Sequence, residues 1–278
     1  MVVKRMLQLW GIYGKLDLLW FLRDTKYCLA CIFNDVITSI SAVLGVFLLA
    51  ERFGNIGGMT SKQILFMLGY ATIVDGVMQL FFSMNVAFIS RIIGRGQLDH
   101  RLIQPVPLWM QLATEGFLPI SGNSVLLCGI GITAYATRKL VLATGPQWIG
   151  LFLLNLGCSI AIILSYTFLA SCLAFYAPVA GEEISTTVNG LFSSLHTFPI
   201  GGFNLVAKTL LCTAVPVGLA AWFPANVLLG QTPQQLPDAL LVGMTIVLVI
   251  TTTTLFRKGM RHYAKRGSNR YSDRGHRR

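Results

Sequence analysis

The chain has 278 residues, of which 54% are hydrophobic and only 12% are charged, and its formal net charge is +11. A soluble domain carries about 25% charged residues, so this composition excludes an ordinary water-soluble protein and predicts an all-α integral membrane protein. A spanning helix needs about 20 mostly apolar residues. Six stretches predict transmembrane helices: Cys28–Leu49, Ile64–Val86, Phe117–Ala136, Trp148–Cys172, Leu205–Phe223 and Leu240–Phe256.

Residues 1–26 predict an amphipathic helix lying in the membrane interface. Its apolar side chains recur at helical spacing: Met6, Leu9, Tyr13, Leu16 and Trp20. Residues 27–256 form the predicted six-span domain, and 257–278 form a basic tail whose composition predicts disorder. After the fourth stretch, a similar spacing predicts a second amphipathic helix on the cytoplasmic side, through Ile184, Val188, Leu191, Phe192 and Leu195.

The basic residues near the ends of the stretches predict the orientation. Seventeen of them lie on the side that holds both termini, and four lie on the other side. Both termini are therefore predicted to be cytoplasmic. The tail could bind nucleic acid, but its place directly after a span favours anionic lipid, so we expect membrane lipids and no nucleic acid as partners.

Polar side chains form stripes along two of the predicted spans. One stripe comprises Thr72, Asp75, Gln79 and Ser83, and the other comprises Asn34, Thr38, Ser41 and Gly45 with Asp35 beside it. An Asp at the centre of a spanning helix costs roughly 2.5–3.5 kcal/mol to insert, so these residues should face the bundle or a wet cavity. They either bond neighbouring helices or line a translocation pathway, whose candidates are Asn34, Asp35, Thr72, Asp75, Gln79 and Asn123.

The sequence contains no phosphate-binding loop of the type G-x-x-x-x-G-K-[ST]. The four histidines, His100, His196, His262 and His276, stand apart from one another, and we predict them to be solvated. The six cysteines fall in or at apolar stretches, which favours a role as small buried hydrophobes. We therefore expect no catalytic residue, no metal and no cofactor on this chain.

A short basic loop, 91–109, joins the second and third stretches. Gly94 and Gly96 interrupt the preceding helix, Leu98, Leu102 and Ile103 offer an apolar knob, and Pro105 stiffens the exit. Such a segment suits a groove on a moving partner. The alternative is an ordinary basic loop that fixes the topology.

The run Gly96-Gln97-Leu98-Asp99, followed by Leu102-Ile103-Gln104-Pro105, resembles the cytoplasmic loop between the second and third spans of ABC transporter permeases of the type-2 exporter class. Three later segments, Phe198-Pro199, Val215-Pro216 and Phe223-Pro224-Ala225, add to the resemblance in the right order. The chain departs from the family pattern at Gln104, where an Arg is expected, and at His196-Thr197, where Arg-Tyr is common.

The resemblance implies a permease of the bacterial cell membrane that moves a hydrophobic or amphipathic substrate outward. A separate ATP-binding-cassette ATPase, carrying ATP and Mg, would dock on a short coupling helix at Gly96, Leu98, Asp99, Leu102, Ile103 and Pro105. A second permease subunit, identical or related, would complete the assembly. Two other interpretations remain open: a membrane-embedded lipid-modifying enzyme that uses Asp75 and Asp35 as acid and base, and a purely structural subunit.

Two prolines are candidate gate residues on physical grounds. Pro216 removes a backbone hydrogen bond inside the fifth predicted span and should kink it. Pro224 precedes a short apolar run that ends at Gly230 and is followed by polar residues. This pattern predicts an outer segment that is either partly re-entrant or interfacial and could close an outward gate.

Overall fold

The computed structural model describes residues 2–231 and 236–267, without the side chains of 83–87 and 236–238. These residues are mostly helical, as the composition predicts. The α-helices are α1 Val2–Arg23, α2 Thr25–Phe53, α3 Ser61–Ala87, α4 Ile89–Gly94, α5 Gln97–Leu102, α6 Leu108–Thr114, α7 Ser124–Lys139, α8 Pro146–Ser171, α9 Pro178–Leu195, α10 Leu205–Thr213, α11 Trp222–Leu228 and α12 Leu236–Arg266. Three 3₁₀ turns cover Cys172–Phe175, Ile200–Gly202 and Pro216–Leu219.

A two-stranded antiparallel hairpin, β1 Asn55–Ile56 and β2 Met59–Thr60, joins α2 to α3. The hairpin marks one end of the helix bundle, which we call the hairpin end. Helix α5 marks the opposite end, which we call the α5 end, because α3 runs from the hairpin toward α4 and α5. The predicted coupling segment therefore lies at the end of the bundle away from the hairpin.

Helices α3 and α7 pack with their backbones in contact. A Cβ atom placed on Gly76 would lie 2.3 Å from the Cα of Leu126, and one placed on Gly129 would lie 2.6 Å from the backbone nitrogen of Ile73. Small residues commonly permit such close approach between membrane helices. Helix α3 thereby becomes the centre of the bundle: 61% of its most apolar stretch is buried, against 6% for α2.

Four helices are long and apolar enough to cross a membrane: Thr25–Phe53, Ser61–Phe82, Pro146–Phe175 and Ala239–Arg266. They correspond to the first, second, fourth and sixth predicted stretches. The last of these helices continues to Arg266, so the start of the predicted tail is helical. The rest of that tail, 268–278, lies outside the described residues, as does the side chain of Ser83.

The third predicted span, Phe117–Ala136, differs from the structure at its beginning. The chain becomes helical only at Ser124, and α7 has 16 residues, fewer than the roughly 20 of a typical span. The preceding segment instead lies against α3, where the Leu118 N–H donates to the Leu80 carbonyl at 2.9 Å.

The fifth predicted span, Leu205–Phe223, is broken. Helix α10 ends at Thr213, and the following segment, Pro216–Leu228, makes an angle of 72° with it. Pro216 has no N–H to continue the helical ladder, which explains the break. By length and composition the described residues thus contain four spans, or up to five if the bent pair is one span.

Helix α9, predicted as an amphipathic helix on the cytoplasmic side, packs lengthwise against the bundle through one face that buries Gly181, Ser185 and Phe192. At the α5 end, a Cβ on Gly94 would lie 2.9 Å from the Pro178 carbonyl oxygen. At the hairpin end, a Cβ on Gly57 would lie 2.9 Å from the Pro199 carbonyl oxygen. The 18 residues of α9 extend about 27 Å at 1.5 Å per residue, which is close to the thickness of a bilayer core.

The close contact between α3 and α7 should be intolerant of a single methyl group. We expect Gly129→Ala to destabilise the protein by about 1–3 kcal/mol, because the added Cβ overlaps the backbone of α3. Thermal unfolding of the detergent-purified protein measures the effect.

Gly131→Ala is the matched control, since a Cβ there meets nothing within 4 Å on the same helix. Alanine is also the better helix former by about 1 kcal/mol, so Gly131→Ala should leave the melting temperature unchanged or raise it. Equal melting temperatures for the two variants would contradict the close packing of α3 and α7.

Candidate functional site

The predicted coupling segment folds as two short helices, α4 and α5, joined by a tight turn. Gly96 adopts a left-handed backbone conformation with φ of +71° directly before α5, which a residue without a Cβ adopts at no steric cost. Asp99 lies in the first turn of α5, where a negative charge suits the helix dipole. Pro105 follows α5 and is exposed.

Of the three residues in the predicted apolar knob, one is buried and two are exposed. Leu98 is 0% exposed and packs among residues of α4 and α6, so the prediction that it contacts a partner is corrected. Leu102 is 46% exposed and Ile103 is 81% exposed. Leu98 and Leu102 lie one turn apart on the same side of α5, so the difference comes from their positions along the helix. Leu98, in the first turn, packs on α4 and α6, whereas Leu102 ends the helix and Ile103 follows it.

Helix α6 and its flanks hold the segment in place. The buried Gln111 side chain donates to the carbonyls of Arg101, at 2.9 Å, and Val106, at 2.6 Å. The Arg101 guanidinium also forms an ion pair with Glu115, and each of these side chains is only 15% exposed. A largely shielded ion pair of this kind is held more firmly than an exposed one.

Helix α1 contributes further contacts to the same segment. The Arg5 guanidinium donates to the Pro105 carbonyl at 2.9 Å, and the Trp10 indole donates to the Ala113 carbonyl at 3.3 Å. Burial, and then the nearby Glu115 carboxylate, raise the pKa of the Tyr13 phenol. The segment from α5 to α6 is therefore braced, while its tip at Leu102 and Ile103 stays exposed.

Asp17 on α1 is a structural residue that the sequence did not single out. It is 3% exposed and accepts hydrogen bonds from the backbone N–H groups of Ile120, at 2.7 Å, and Ser121, at 3.2 Å. The sequence carried one sign of this role: Asp17 follows Tyr13 by four residues, which places a carboxylate on the apolar side of an amphipathic helix. Asp17 thus ties α1 to the turn before α7.

Charged residues join the coupling segment to α9. Arg95 donates to Glu182 at 2.9 Å, and the Arg91 Nε lies 3.6 Å from the same carboxylate oxygen. These pairs give Glu182, in the first turns of α9, two cationic partners. A movement of α4 and α5 would therefore act directly on α9.

The two carboxylates predicted within the bundle have different partners. Asp35 accepts hydrogen bonds from the Gln79 amide, at 3.0 Å, and from the Ser124 hydroxyl, at 3.2 Å, and so joins α2, α3 and α7. Asp75 bonds instead to His196 at 3.0 Å. This arrangement does not favour a paired acid and base, as the enzyme interpretation requires.

His196 was predicted to be solvated, but its side chain is only 4% exposed and contacts the half-exposed Asp75. Its Nδ1 lies 2.8 Å from the Ser193 carbonyl oxygen, which can only accept, so Nδ1 must carry a proton. The contact between Nε2 and the Asp75 carboxyl then requires a second proton between those two atoms. The pair is therefore either a charged imidazolium with a carboxylate or a neutral imidazole with a carboxylic acid.

The remaining predicted pathway residues are dispersed. Thr72 is buried and donates to the Leu68 carbonyl of its own helix at 2.8 Å. Asn34 is exposed, and Asn123 is half-buried directly before α7. The structure thus brings Asp35 and Gln79 together, whereas Asn34 points away from the rest of the single chain.

Both candidate gate prolines are buried in the bundle. Pro216 opens the 3₁₀ turn that separates α10 from α11, and Pro224 lies inside α11. The Trp148 indole donates to the Leu228 carbonyl at 3.1 Å, which fixes the end of α11 to the start of α8. Leu205 and Gly58 line one common cavity at the hairpin end.

Helices α10 and α11 therefore begin and end at the same end of the bundle. The turn between them reaches the middle of α8 and α12, where Pro216, Ile162 and Met244 line a small cavity. Within the described part of the chain, no group of three or more His, Cys, Asp or Glu residues could hold a metal ion.

A family model described as "ABC-2 family transporter protein" matches residues 36–267, well over half of the chain. Neither a curated protein nor a solved structure matches the chain.

If the hydrogen bond between Asp75 and His196 holds α3 to α9, its loss should lower stability. We expect Asp75→Ala to destabilise the protein by about 1–3 kcal/mol, because it leaves a buried imidazole without its partner. Asp75→Asn should be much milder, since the Asn amide can donate to Nε2 of a neutral imidazole. Melting temperatures of the two variants in detergent provide the comparison, and identical losses would show that the bond is not the stabilising contact.

Proposed function

Because the chain belongs to the ABC-2 transporter family, we propose that it is the membrane permease subunit of an ATP-driven exporter whose ATP, with Mg, is bound and hydrolysed by a separate ATPase subunit. The single observation that supports this proposal best is the braced α5 with its exposed apolar tip. A rigid protrusion with an apolar centre and a polar rim suits a partner groove.

The polar rim of this protrusion comes from residues around Leu102 and Ile103. Asp99 and His100 are exposed on α5, and Gln104 and Pro105 follow it. Contacts with Gln111, Glu115 and Arg5 fix the segment on the side that faces the bundle. A displacement of its tip would therefore be passed on to the bundle, which a flexible loop would not do. We infer that this surface receives the ATPase.

The ion pairs of Glu182 with Arg91 and Arg95 extend the docking surface to α9. That helix runs from the α5 end to the bond between His196 and Asp75, and the turn after it reaches the hairpin end through Pro199. ATP-driven movement at α5 would thus shift α9 against α3, which is the relative motion that opens or closes access from one side.

The membrane topology that follows has six crossings, made by α2, α3, α7, α8, α9 and α12. It keeps the predicted number of spans and both termini on the cytoplasmic side, but α9 replaces Leu205–Phe223 as the fifth crossing. Helices α10 and α11 then form a re-entrant segment that enters from the outside and returns, with Pro216 at its deepest point. In this position they serve as the outer gate.

A second permease subunit, identical or related, completes the pathway. Helix α2 is almost unburied within the single chain, and its exposed face carries polar side chains at Asn34, Thr38 and Ser41. Polar groups that face lipid lack hydrogen-bonding partners, so another subunit is a more favourable neighbour than acyl chains. The substrate is hydrophobic or amphipathic, and its polar part would meet Asp35, Asp75 and Gln79.

The docking of the ATPase is tested by removing the apolar tip of α5. We expect Leu102→Ser combined with Ile103→Ser to lower transport-coupled ATP hydrolysis at least fivefold, which corresponds to about 1 kcal/mol at the interface. The measurement uses permease and ATPase co-purified from the native membrane and reconstituted, and it includes the amount of ATPase recovered.

Val141→Ser is the matched control, because Val141 is 88% exposed but follows α7 at the opposite end of the bundle. It should leave coupled hydrolysis unchanged. Leu98→Ser should act differently from both, since it removes a buried side chain and should lower the melting temperature. Full coupling in a well-folded variant without the apolar tip would refute the docking assignment.

The crossing of α9 is tested by labelling single cysteines in a cysteine-free background with a membrane-impermeant reagent in intact cells. Phe203 is 49% exposed just beyond α9, so Phe203→Cys should be labelled from outside. Glu183→Cys near the start of the helix should be protected. If both positions are protected, α9 lies on the cytoplasmic side and the proposed topology is wrong.

A further inference from the structure

A cavity of about 520 Å³ lies between α3, α6, α8 and α12, near the α5 end. Its volume is within the range of roughly 300–1,000 Å³ that small-molecule sites occupy. Most of its wall is apolar, with side chains from all four helices: Phe82, Leu108, Leu112, Leu164, Phe168 and Phe256. The cavity shares no residue with the bonds that Asp35 and Asp75 make.

Two exposed residues of different chemistry lie at the rim. Trp109 is 53% exposed, and Arg257 is exposed one residue after Phe256 on α12. Among the described residues that line the cavity, Arg257 alone carries a charge. The rim therefore combines a single cation with an aromatic ring.

The geometry points to a binding site for an acyl chain of an anionic membrane lipid, with the lipid phosphate on Arg257. An apolar wall accepts hydrocarbon, and a guanidinium pairs with phosphate through two parallel hydrogen bonds. Tryptophan favours the depth at which lipid headgroups meet the hydrocarbon core. The cavity thus offers each part of one lipid molecule its preferred surroundings.

The position along α12 supports the same occupant. The apolar part of the helix ends at Phe256, and the basic residues Arg257, Lys258 and Arg261 follow. This change from apolar to basic sequence sets the rim at headgroup depth.

The polar groups on the wall are few and partly engaged. Thr252 donates to the Ser165 carbonyl at 3.0 Å, so this hydroxyl already has its acceptor. A solute with many hydrogen-bonding groups would find few partners inside, whereas an acyl chain needs none.

A bound lipid would contact α6, the helix that holds the predicted coupling segment. Leu108, Trp109 and Leu112 place one side of α6 on the cavity, while Gln111 of the same helix bonds to the carbonyls of Arg101 and Val106. The lipid would brace α6 and hence α5. This consequence rests on the proposed function, whereas the binding site itself does not.

Native mass spectrometry of the purified full-length protein tests the site without the ATPase. The protein is mixed with equal amounts of phosphatidylglycerol and phosphatidylethanolamine, and retention of each lipid is measured. We expect Arg257→Gln to lower phosphatidylglycerol retention about fivefold, the ratio that corresponds to the ~1 kcal/mol of one basic residue near an anionic surface. Retention of phosphatidylethanolamine should change less.

Two matched controls separate the cavity from the rest of α12. Lys258→Gln removes the neighbouring charge, which does not line the cavity, and should leave retention unchanged. Thr253→Phe places a ring in the cavity and should lower retention of both lipids, whereas Thr254→Phe, on a residue outside the lining, should not. Melting temperatures confirm that the variants compared are folded.

Three results would overturn the proposal. Equal losses in Arg257→Gln and Lys258→Gln would show general attraction to a basic helix. Full retention in folded Thr253→Phe would show that lipid does not enter the cavity. A change of the measured mass from dimer to monomer in Thr253→Phe, with lipid retention intact, would show that a second copy of the chain covers the cavity. Failure of the lipid site would leave the docking of the ATPase on α5 untouched.

Discussion

The close backbone contact between α3 and α7 is the constraint on which the rest of the bundle depends. Gly76 and Gly129 leave no room for a side chain between the two helices, so their relative height and rotation are fixed. Asp75 is next to Gly76 and Gln79 follows it by three residues on α3, and their side chains bond to His196 and to Asp35 of α2, respectively. The polar bonds of the bundle follow from this placement.

Carboxylates then connect segments that are far apart in the sequence. Asp17 joins α1 to the turn before α7, Asp35 joins α2 to α3 and α7, and Glu182 joins α9 to α4. An unpaired carboxylate is expensive in an apolar bundle, so each pairing disfavours alternative arrangements of the helices. Such bonds can specify a packing even where their net contribution to stability is small.

Helix α9 connects α4, at the α5 end of the bundle, with α3. Its first turn contacts α4, His196 directly after its last residue bonds to Asp75 of α3, and Pro199 in the following turn contacts the β-hairpin. In the proposed mechanism, a displacement of α4 and α5 would pass along α9 and the turn that follows it to the hairpin end, where α10 and α11 form the proposed outer gate.

The sequence by itself determined the all-α membrane class, four helices long and apolar enough to span a membrane, the short helix after Gly96 and the break at Pro216. These features follow from local properties: apolar length, helical spacing, and the missing N–H of proline. The order of motifs from Gly96 to Pro224 also indicated the family, which the match over residues 36–267 shows.

Only the tertiary structure decided how α9, His196 and Leu98 are placed. The polar residues of α9 resemble those of a surface helix, and nothing local reveals that Arg95 and Asp75, about 90 and 120 positions away, supply their partners. Leu98 and Leu102 lie one turn apart on the same side of α5, and only the packing of α4 and α6 over the first turn of α5 buries one and leaves the other exposed. Pairings between distant residues and the orientation of a short helix are properties of the assembled bundle, so local sequence patterns do not encode them.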